Sequence, residues 1–393
     1  MKLLVTIARI LVGILFIFSG LIKANDPIGL SYKMQEFFEL WSMSALNGIT
    51  LTLSVLMIAF EIIAGVALLL GWQRKLIQWL LLLLILFFTF LTGYAYLSGK
   101  FTNCGCFGDC IPITSKTSFI KDLVLLVLIL FLFFNQRFIR PVFSKKATGI
   151  LMLLATVLSF GFQWYTLKYL PVLDCLPFKK GSFIPDKLKI PANAIPDSTE
   201  ITFVYEKEGK QVEFNSDHFP DDFNDSTYKF INRYDKILKE GSNNIPEIRG
   251  FDFINGMGTN VTQALLDADH ILLLFAEDLS RPVADWKAGF EPVYAAARQR
   301  QWPVYVISSM AHPVKQAIAG TAFKDVEVLG GDRVMIRMAA RTNPTLYLLK
   351  KGTVAGKWSY KQFGTANKVL SAFPAVAPQV QQDTATADPD HLK

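Results

Sequence analysis

Three of the four cysteines in this 393-residue chain stand in one short segment, Cys104-Gly105-Cys106-Phe107-Gly108-Asp109-Cys110, and the fourth is Cys175. Cysteine thiolates exchange disulfides, resolve one another's mixed disulfides or bind metal. The C-x-C-x3-C spacing lacks the paired C-x2-C knuckles of common zinc sites, so no metal is assigned to it. A Cys104–Cys106 bond would close a very small ring, and departure from relaxed disulfide geometry makes a bond easier to reduce. That favours an exchange-active pair, with Cys110 or Cys175 as its resolving partner. The alternative has Cys110 and Cys175 bonded to each other, tying a later segment to the loop. Four cysteines allow three complete pairings, and spacing does not choose among them. Redox exchange and purely structural disulfides therefore both stay open. Gly105 and Gly108 supply the backbone freedom a tight turn needs.

The elements that must position this loop divide sharply near residue 170. Overall the chain is 51% hydrophobic and 19% charged. Before the division lie five apolar segments, Leu3 to Leu21, Ile49 to Leu70, Leu76 to Leu97, Phe119 to Phe134 and Ala147 to Leu167. Each approaches or reaches the ~17–25 residues that cross a hydrocarbon core as a helix. The first is longer than the apolar stretch of a signal peptide and four more follow, so it is expected to be a retained helix. With the N-terminus inside, the inner flanks carry Lys2, Arg74, Lys75, Arg137, Arg140, Lys145 and Lys146, whereas the outer loops carry Lys23, Lys33, Lys100 and Lys116. The inner excess and its density in two tight connections set this orientation. The cysteine loop and everything after Leu170 then face outward, into the periplasm of a Gram-negative bacterium, where disulfides persist. Inner-flank cations use much of the net charge of +7. No continuous basic stripe is left to suggest nucleic acid.

Arg9 and Glu61 fall inside the first and second spans, where charges are expensive and turn toward the bundle interior. From their axial depth their long side chains could meet, as a packing ion pair or as a proton or ligand site, the remaining alternative being that each snorkels separately. Lys23 and Lys121-Asp122 stand at outer span ends, where interface placement accounts for them. Gly13, Gly20 and Gly65 permit close helix approach. Residues 23–48, with Tyr32, Phe37, Phe38 and Trp41, read as an interfacial helix or as an ordered loop over the bundle.

Trp164, Tyr165 and Tyr169 suit the outer headgroup region, and Pro171 marks the exit of the fifth span. Residues 177–196, rich in Pro, Gly and Lys, read as a stalk. Ile201 to Phe214 alternates as a hairpin with Glu208-Gly209-Lys210 at its turn. The residues up to about Gly258 offer only an irregular β-rich extension. His270 to Phe275 and Pro303 to Ser308 read as buried strands, with helices at Val283 to Arg300 and Val314 to Ala319, which implies a parallel β-α-β unit. Thr345 to Leu349 and Gly352 to Trp358 form a closing hairpin. After Phe373 the composition predicts a disordered tail.

Residues 1 to about 140 resemble the DoxX/MauE family of four-helix membrane proteins. The likeness rests on Arg9 to Gly13 with Phe16, Ser19, Gly20 and Lys23, on Phe60-Glu61 to Gly65 with Leu70-Gly71, and most specifically on Asn103-Cys104-Gly105-Cys106-Phe107-Gly108. It implies a bundle architecturally related to membrane thiol oxidoreductases of the vitamin K epoxide reductase type, and by that analogy a quinone as electron acceptor. Residues from about Asn260 to Ala372 resemble a thioredoxin-like domain through Asn343-Pro344-Thr345 to Leu349 and Lys351-Gly352, which implies a cis Pro344. Glu277-Asp278-Leu279-Ser280-Arg281-Pro282 stands where that family has C-x-x-C, and no cysteine follows Cys175. This domain cannot exchange thiols itself, but Pro344 marks a groove that could take an extended peptide.

The expected architecture is an α-helical membrane bundle followed by an α/β thioredoxin-like periplasmic domain. Residues 1–142 form the DoxX/MauE-like bundle, 143–170 the fifth transmembrane helix, 171–258 a stalk and β-rich extension, 259–373 the thioredoxin-like domain and 374–393 the tail. The expected function is a bacterial inner-membrane protein assisting maturation or thiol redox state of an exported client, with exchange at the cysteine loop. The alternative is a non-enzymatic scaffold of an envelope complex, with structural disulfides.

Overall fold

The computed structural model describes residues 1–99, 108–111, 113–216, 218–224, 226–239, 241 and 244–375. Cys104, Cys106 and all but the first two residues of the expected tail lie outside them.

The apolar half folds as α1 (Lys2–Asn25), α2 (Pro27–Leu40), α3 (Thr50–Leu70), α4 (Arg74–Ser98), α5 (Ser115–Phe134) and α6 (Lys145–Tyr169). All but α2 are long and apolar enough to cross a membrane, and the chain is a membrane protein. Helices α1 and α3 approach closely because they meet at glycine. A Cβ on Gly65 would stand 2.9 Å from the Gly13 carbonyl oxygen, and one on Gly20 would strike Ile62. Helix α2 opens with Pro27 at its first position and with Asp26 accepting from Gly29 N, a standard helix start. Residues 27–40 are thus helical and laid against α3.

After α6 come α7 (Ile184–Lys187), β1 (Ser198–Lys207), β2 (Lys210–Asn215), β3 (Tyr228–Lys239), β4 (Phe253–Ile254), α8 (Thr262–Asp267) and β5 (Ile271–Phe275). The chain continues through α9 (Lys287–Arg298), β6 (Val304–Ser308), α10 (Ala311–Ile318), β7 (Glu327–Gly331), α11 (Arg333–Ala339), β8 (Thr345–Lys350), β9 (Thr353–Ser359) and α12 (Phe363–Ser371). Strands β2-β1-β3 form a small antiparallel sheet. Its hairpin turn is Glu208-Gly209, both at positive φ, so Lys210 already belongs to β2.

The second sheet has the order β4-β7-β6-β5-β8-β9, with β5, β6 and β7 parallel, β4 antiparallel to β7, β8 antiparallel to β5, and β9 antiparallel to β8. Alternation along β5 and β8 feeds two cores. Leu272, Leu274, Leu346 and Leu348 pack with Phe290, Val293, Phe363 and Leu370. Leu273, Phe275, Tyr347 and Leu349 pack on the opposite face with Phe178, Phe253, Met335 and Ile336.

The segment expected to be a stalk is instead folded onto this sheet at its start. Gly181 N donates to Val354 O and Ile184 N to Gly352 O, and Phe178 and Ile184 are buried. Apolar Leu176, Phe178 and Ile184, spaced among Pro, Gly and Lys, supply the burial that composition hides. The helix expected over 283–300 is broken at Trp286 into one 3₁₀ turn, Val283–Asp285, and α9.

Candidate functional site

Helix α1 ends in Lys23-Ala24-Asn25, a buried run at the end of the bundle near the cysteine loop, and its last turns build a polar centre. Lys23 Nζ lies 2.5 Å from Glu61 Oε1, with Ser19 Oγ donating to Glu61 Oε2 at 3.2 Å. Across a small cavity of about 30 Å³, Asp122 accepts from Thr92 Oγ1 at 3.0 Å and pairs with Lys121 Nζ at 2.8 Å. Glu61 and Asp122 are each 1% exposed and Lys23 4%. That volume is enough for one or two waters.

Arg9 and Glu61 therefore do not meet. Gly13 faces Gly65 in an antiparallel pair, so Glu61, four residues before Gly65, stands beside the turn after Gly13. Arg9, four residues before Gly13, stands beside Leu69. There Arg9 Nε donates to Leu68 O at 2.8 Å, Nη1 to Arg140 O at 3.1 Å and Nη2 to Leu69 O. It satisfies the last carbonyls of α3 and fastens the α5–α6 connection, a structural role. Lys23, expected only at the interface, is Glu61's partner.

Cys110 and Cys175 are joined in a disulfide. Beside each half-cystine stands an aspartate held by a buried cation of the α/β domain. Asp109 Oδ2 accepts from Arg341 Nη2 at 2.8 Å, and Asp174 Oδ2 accepts from Lys357 Nζ at 2.8 Å. Arg341 Nε also donates to Asp26 Oδ2 at 2.7 Å, while Asp26 Oδ1 caps α2. Burial alone would loosen the Arg341 proton, but Asp26 and Asp109 outweigh it and hold the guanidinium above its ordinary value. Burial draws Lys357 below the usual lysine value, against the pull of Asp174. The cations Arg341 and Lys357 are each 5% exposed, whereas their partners Asp26, Asp174 and Asp109 are 13%, 26% and 36% exposed, so each pair joins a buried cation to a carboxylate that solvent reaches.

Asn343–Pro344 is a cis peptide, and its surroundings face the membrane half. Glu277 accepts from Arg337 Nε at 2.7 Å and from Tyr32 Oη at 3.4 Å, and Arg337 Nη1 donates to Gln35 Oε1 at 2.9 Å. Burial, with Glu277 adding to it, pushes the Tyr32 phenol well above its usual value, so it stays a neutral donor. The groove beside Pro344 is roofed in part by α2. Between them remains a cavity of about 470 Å³ reached by Glu277, Arg281, Asn343, Tyr32 and Lys168.

Residue reading missed Asp26, Asp109, Asp174, Arg341 and Lys357. One signal was present: Cys110 and Cys175 each follow an aspartate. Among the described residues no cluster of His, Cys, Asp and Glu suits a metal ion.

An apolar cavity of about 500 Å³ between α2, α3 and α4 is lined by aromatic and aliphatic side chains and ends on Lys23 and Thr92. A cleft bounded by Lys23, Asp26, Gly108 and Asp109 leads from Lys23 toward the cysteine segment.

Fold and site together define a helical membrane protein that carries an α/β domain clamped over its cysteine-bearing end. Residues 1–135 match the family model described as methylamine utilisation protein MauE. Residues 199–240, the β2-β1-β3 sheet, match a domain of unknown function. The chain is 34% identical over 129 residues to Protein TlpB of Flavobacterium psychrophilum, covering 32% of this chain and 35% of TlpB. The match thus spans about a third of that relative's length. No solved structure matches the chain.

Proposed function

We propose that this is an inner-membrane protein, N-terminus inside, that maintains the thiol state or maturation of exported proteins at the periplasmic face. Cys104 and Cys106 are the exchange pair. A client thiolate attacks their disulfide to form a mixed disulfide, a second client thiolate displaces it, and the client leaves with a disulfide while the pair is left as a dithiol. Two electrons and two protons must then depart, and a lipid-soluble quinone is the acceptor class that takes both. The α/β domain is thioredoxin-like but thiol-free. It has a parallel β5-α9-β6 unit, cis Pro344 and a closing hairpin, with Glu277 and Asp278 where a redox pair would stand. Its part is to hold the client beside the loop.

The observation that carries this reading is Arg341, two residues before Asn343, bonded to Asp109 of the cysteine segment. That bond brings the cis-proline face and the cysteine segment to one location. The MauE match over the bundle, with its Asn103 to Gly108 motif, supports the same assignment.

Alkylation of thiols in intact cells, followed by separation of the redox forms, tests it. We expect two forms differing by the Cys104/Cys106 pair, interconverted by mild reductant while Cys110–Cys175 stays intact. A single oxidised form that resists mild reductant and captures no partner would instead make the protein an envelope scaffold whose disulfides are staples. The Cys110–Cys175 bond is already of the stapling kind.

A further inference from the structure

Both edges of the six-stranded sheet are closed by the chain itself. Residues 181–184 lie along β9, with Gly181 N donating to Val354 O and Val354 N to Ser182 O. At the other edge β4 is two residues long and is bridged by Asn260. The small sheet differs. Strand β3 runs for 12 residues and has β1 as its neighbour on one side. Among the described residues, no strand and no backbone–backbone hydrogen bond covers its other side between Lys229 and Leu238. An open edge of this length is a template for another strand. Rings on one face brace the sheet, with Tyr205 stacked on Phe214 at 5.2 Å and Tyr228 at 5.1 Å from Phe223. Against β1, Ile231 and Leu238 are the extra residues of two bulges, and the run 232–237 between them pairs regularly. In that run Arg233 and Asp235 share a face, joined at 2.6 Å and half-exposed. Phe230, Ile231, Tyr234 and Leu238, all exposed, stand in and beside it.

We propose that β3 pairs antiparallel with β3 of a second copy about a two-fold axis at Tyr234, which joins two small sheets into one. A two-fold antiparallel pair centres on one residue, which then faces itself. Centring on Arg233 or Asp235 would set like charges opposite, which is destabilising. Centring on Tyr234 sets Arg233 opposite Asp235 of the second copy, twice over, and Lys236 opposite Asn232. Phe230 and Leu238 fall opposite each other at both ends of the pair. Strand β3 is thus complementary to itself in charge and in apolar residues, and that selects a second copy over an unrelated strand. The other open edge, β2, has no such register. Its Lys210 and Glu213 are three residues apart and point to opposite faces, so a two-fold pair never sets them opposite.

The test is sedimentation of the full-length protein in mild detergent over a range of concentrations. We expect a reversible dimer. Arg233→Asp and Asp235→Arg should each weaken it about tenfold or more, since one substitution alters both symmetric pairs. The double exchange, Arg233→Asp with Asp235→Arg, restores the contacts within and between strands and should recover the wild-type dissociation constant. In membranes, Tyr234→Cys should give an oxidant-dependent dimer that the wild type does not, because facing Cβ atoms stand within about 5 Å of each other. Glu213→Cys on β2 should give none. A monomer at every concentration, single exchanges without effect, a double exchange that does not recover, or a dimer through Glu213→Cys would overturn the proposal. So would an adduct of Tyr234→Cys with another exported protein, which would make this edge a site for client strands. The pairing does not depend on thiol chemistry, so failure of the redox reading would leave it standing.

Discussion

Arg341 spends its guanidinium on two carboxylates from separate parts of the membrane half, Asp26 at the start of α2 and Asp109 before Cys110. Removing one partner of a buried pair costs about 3–5 kcal/mol, chiefly because the charges left behind lose their partner. Arg341→Ala should accordingly lower the thermal midpoint in nanodiscs and expose residues 170–196 to protease. Arg341→Lys should fall between, since a lysine cannot serve both carboxylates as a planar fork does. A second prediction separates the two intramembrane cations. Lys23→Met should destabilise strongly, whereas Lys23→Met with Glu61→Gln should recover much of the loss, a coupling that a double-mutant cycle reads directly. Arg9→Met should show no coupling to Glu61→Gln, because its donors go to carbonyls of Leu68, Leu69 and Arg140. Axial depth made Arg9 and Glu61 look like partners. The Gly13–Gly65 register decides otherwise, and register between two helices is not written in either one alone.

The spans were legible because each is one long apolar run, and solvent-free lipid leaves a helix as the only single-segment solution. Strands β5, β6 and β8 were legible for a similar reason, as short apolar runs between turn signals. Strand β7 and helix α11 were not. Glu327–Gly331 is five residues with two glycines, and Arg333–Ala339 is too short to show a helical period. The start of the supposed stalk hid its packing because Phe178 and Ile184 are buried by β8 and β9, far along the chain. The disulfide belongs to this scale, since it fixes the segment after α6 to the turn before α5. Its separation of 65 residues would correspond to about 4 kcal/mol in a chain-entropy account of a free coil. Membrane insertion of α5 and α6 already limits that loop, so Cys110→Ser should cost less. Cys110→Ser, Cys175→Ser and the double variant should show the same loss, measured by unfolding with and without reductant. Unequal losses would mean that the two thiols do not act as one bond.

At the scale of the whole molecule, an α/β domain without thiols is clamped over a membrane bundle whose cysteine segment meets it at Arg341. The clamp consists of Asp109–Arg341, Asp26–Arg341 and Asp174–Lys357, with Asp109 and Asp174 adjoining the half-cystines. Breaking Cys110–Cys175 should therefore loosen the domain as well as the loop, which hydrogen exchange at 333–343 would register as faster opening. The most direct test of the account traps the client. With Cys106→Ser the lone Cys104 thiolate can still attack a client disulfide, releasing the client's other sulfur as a thiolate, and with no neighbour to resolve it the mixed disulfide should accumulate. The reciprocal Cys104→Ser variant tests which sulfur carries the exchange. The account predicts an adduct with an exported protein in one of these two variants, several-fold reduced when Arg341→Ala is added. No adduct in either variant, or an adduct indifferent to Arg341, would contradict it.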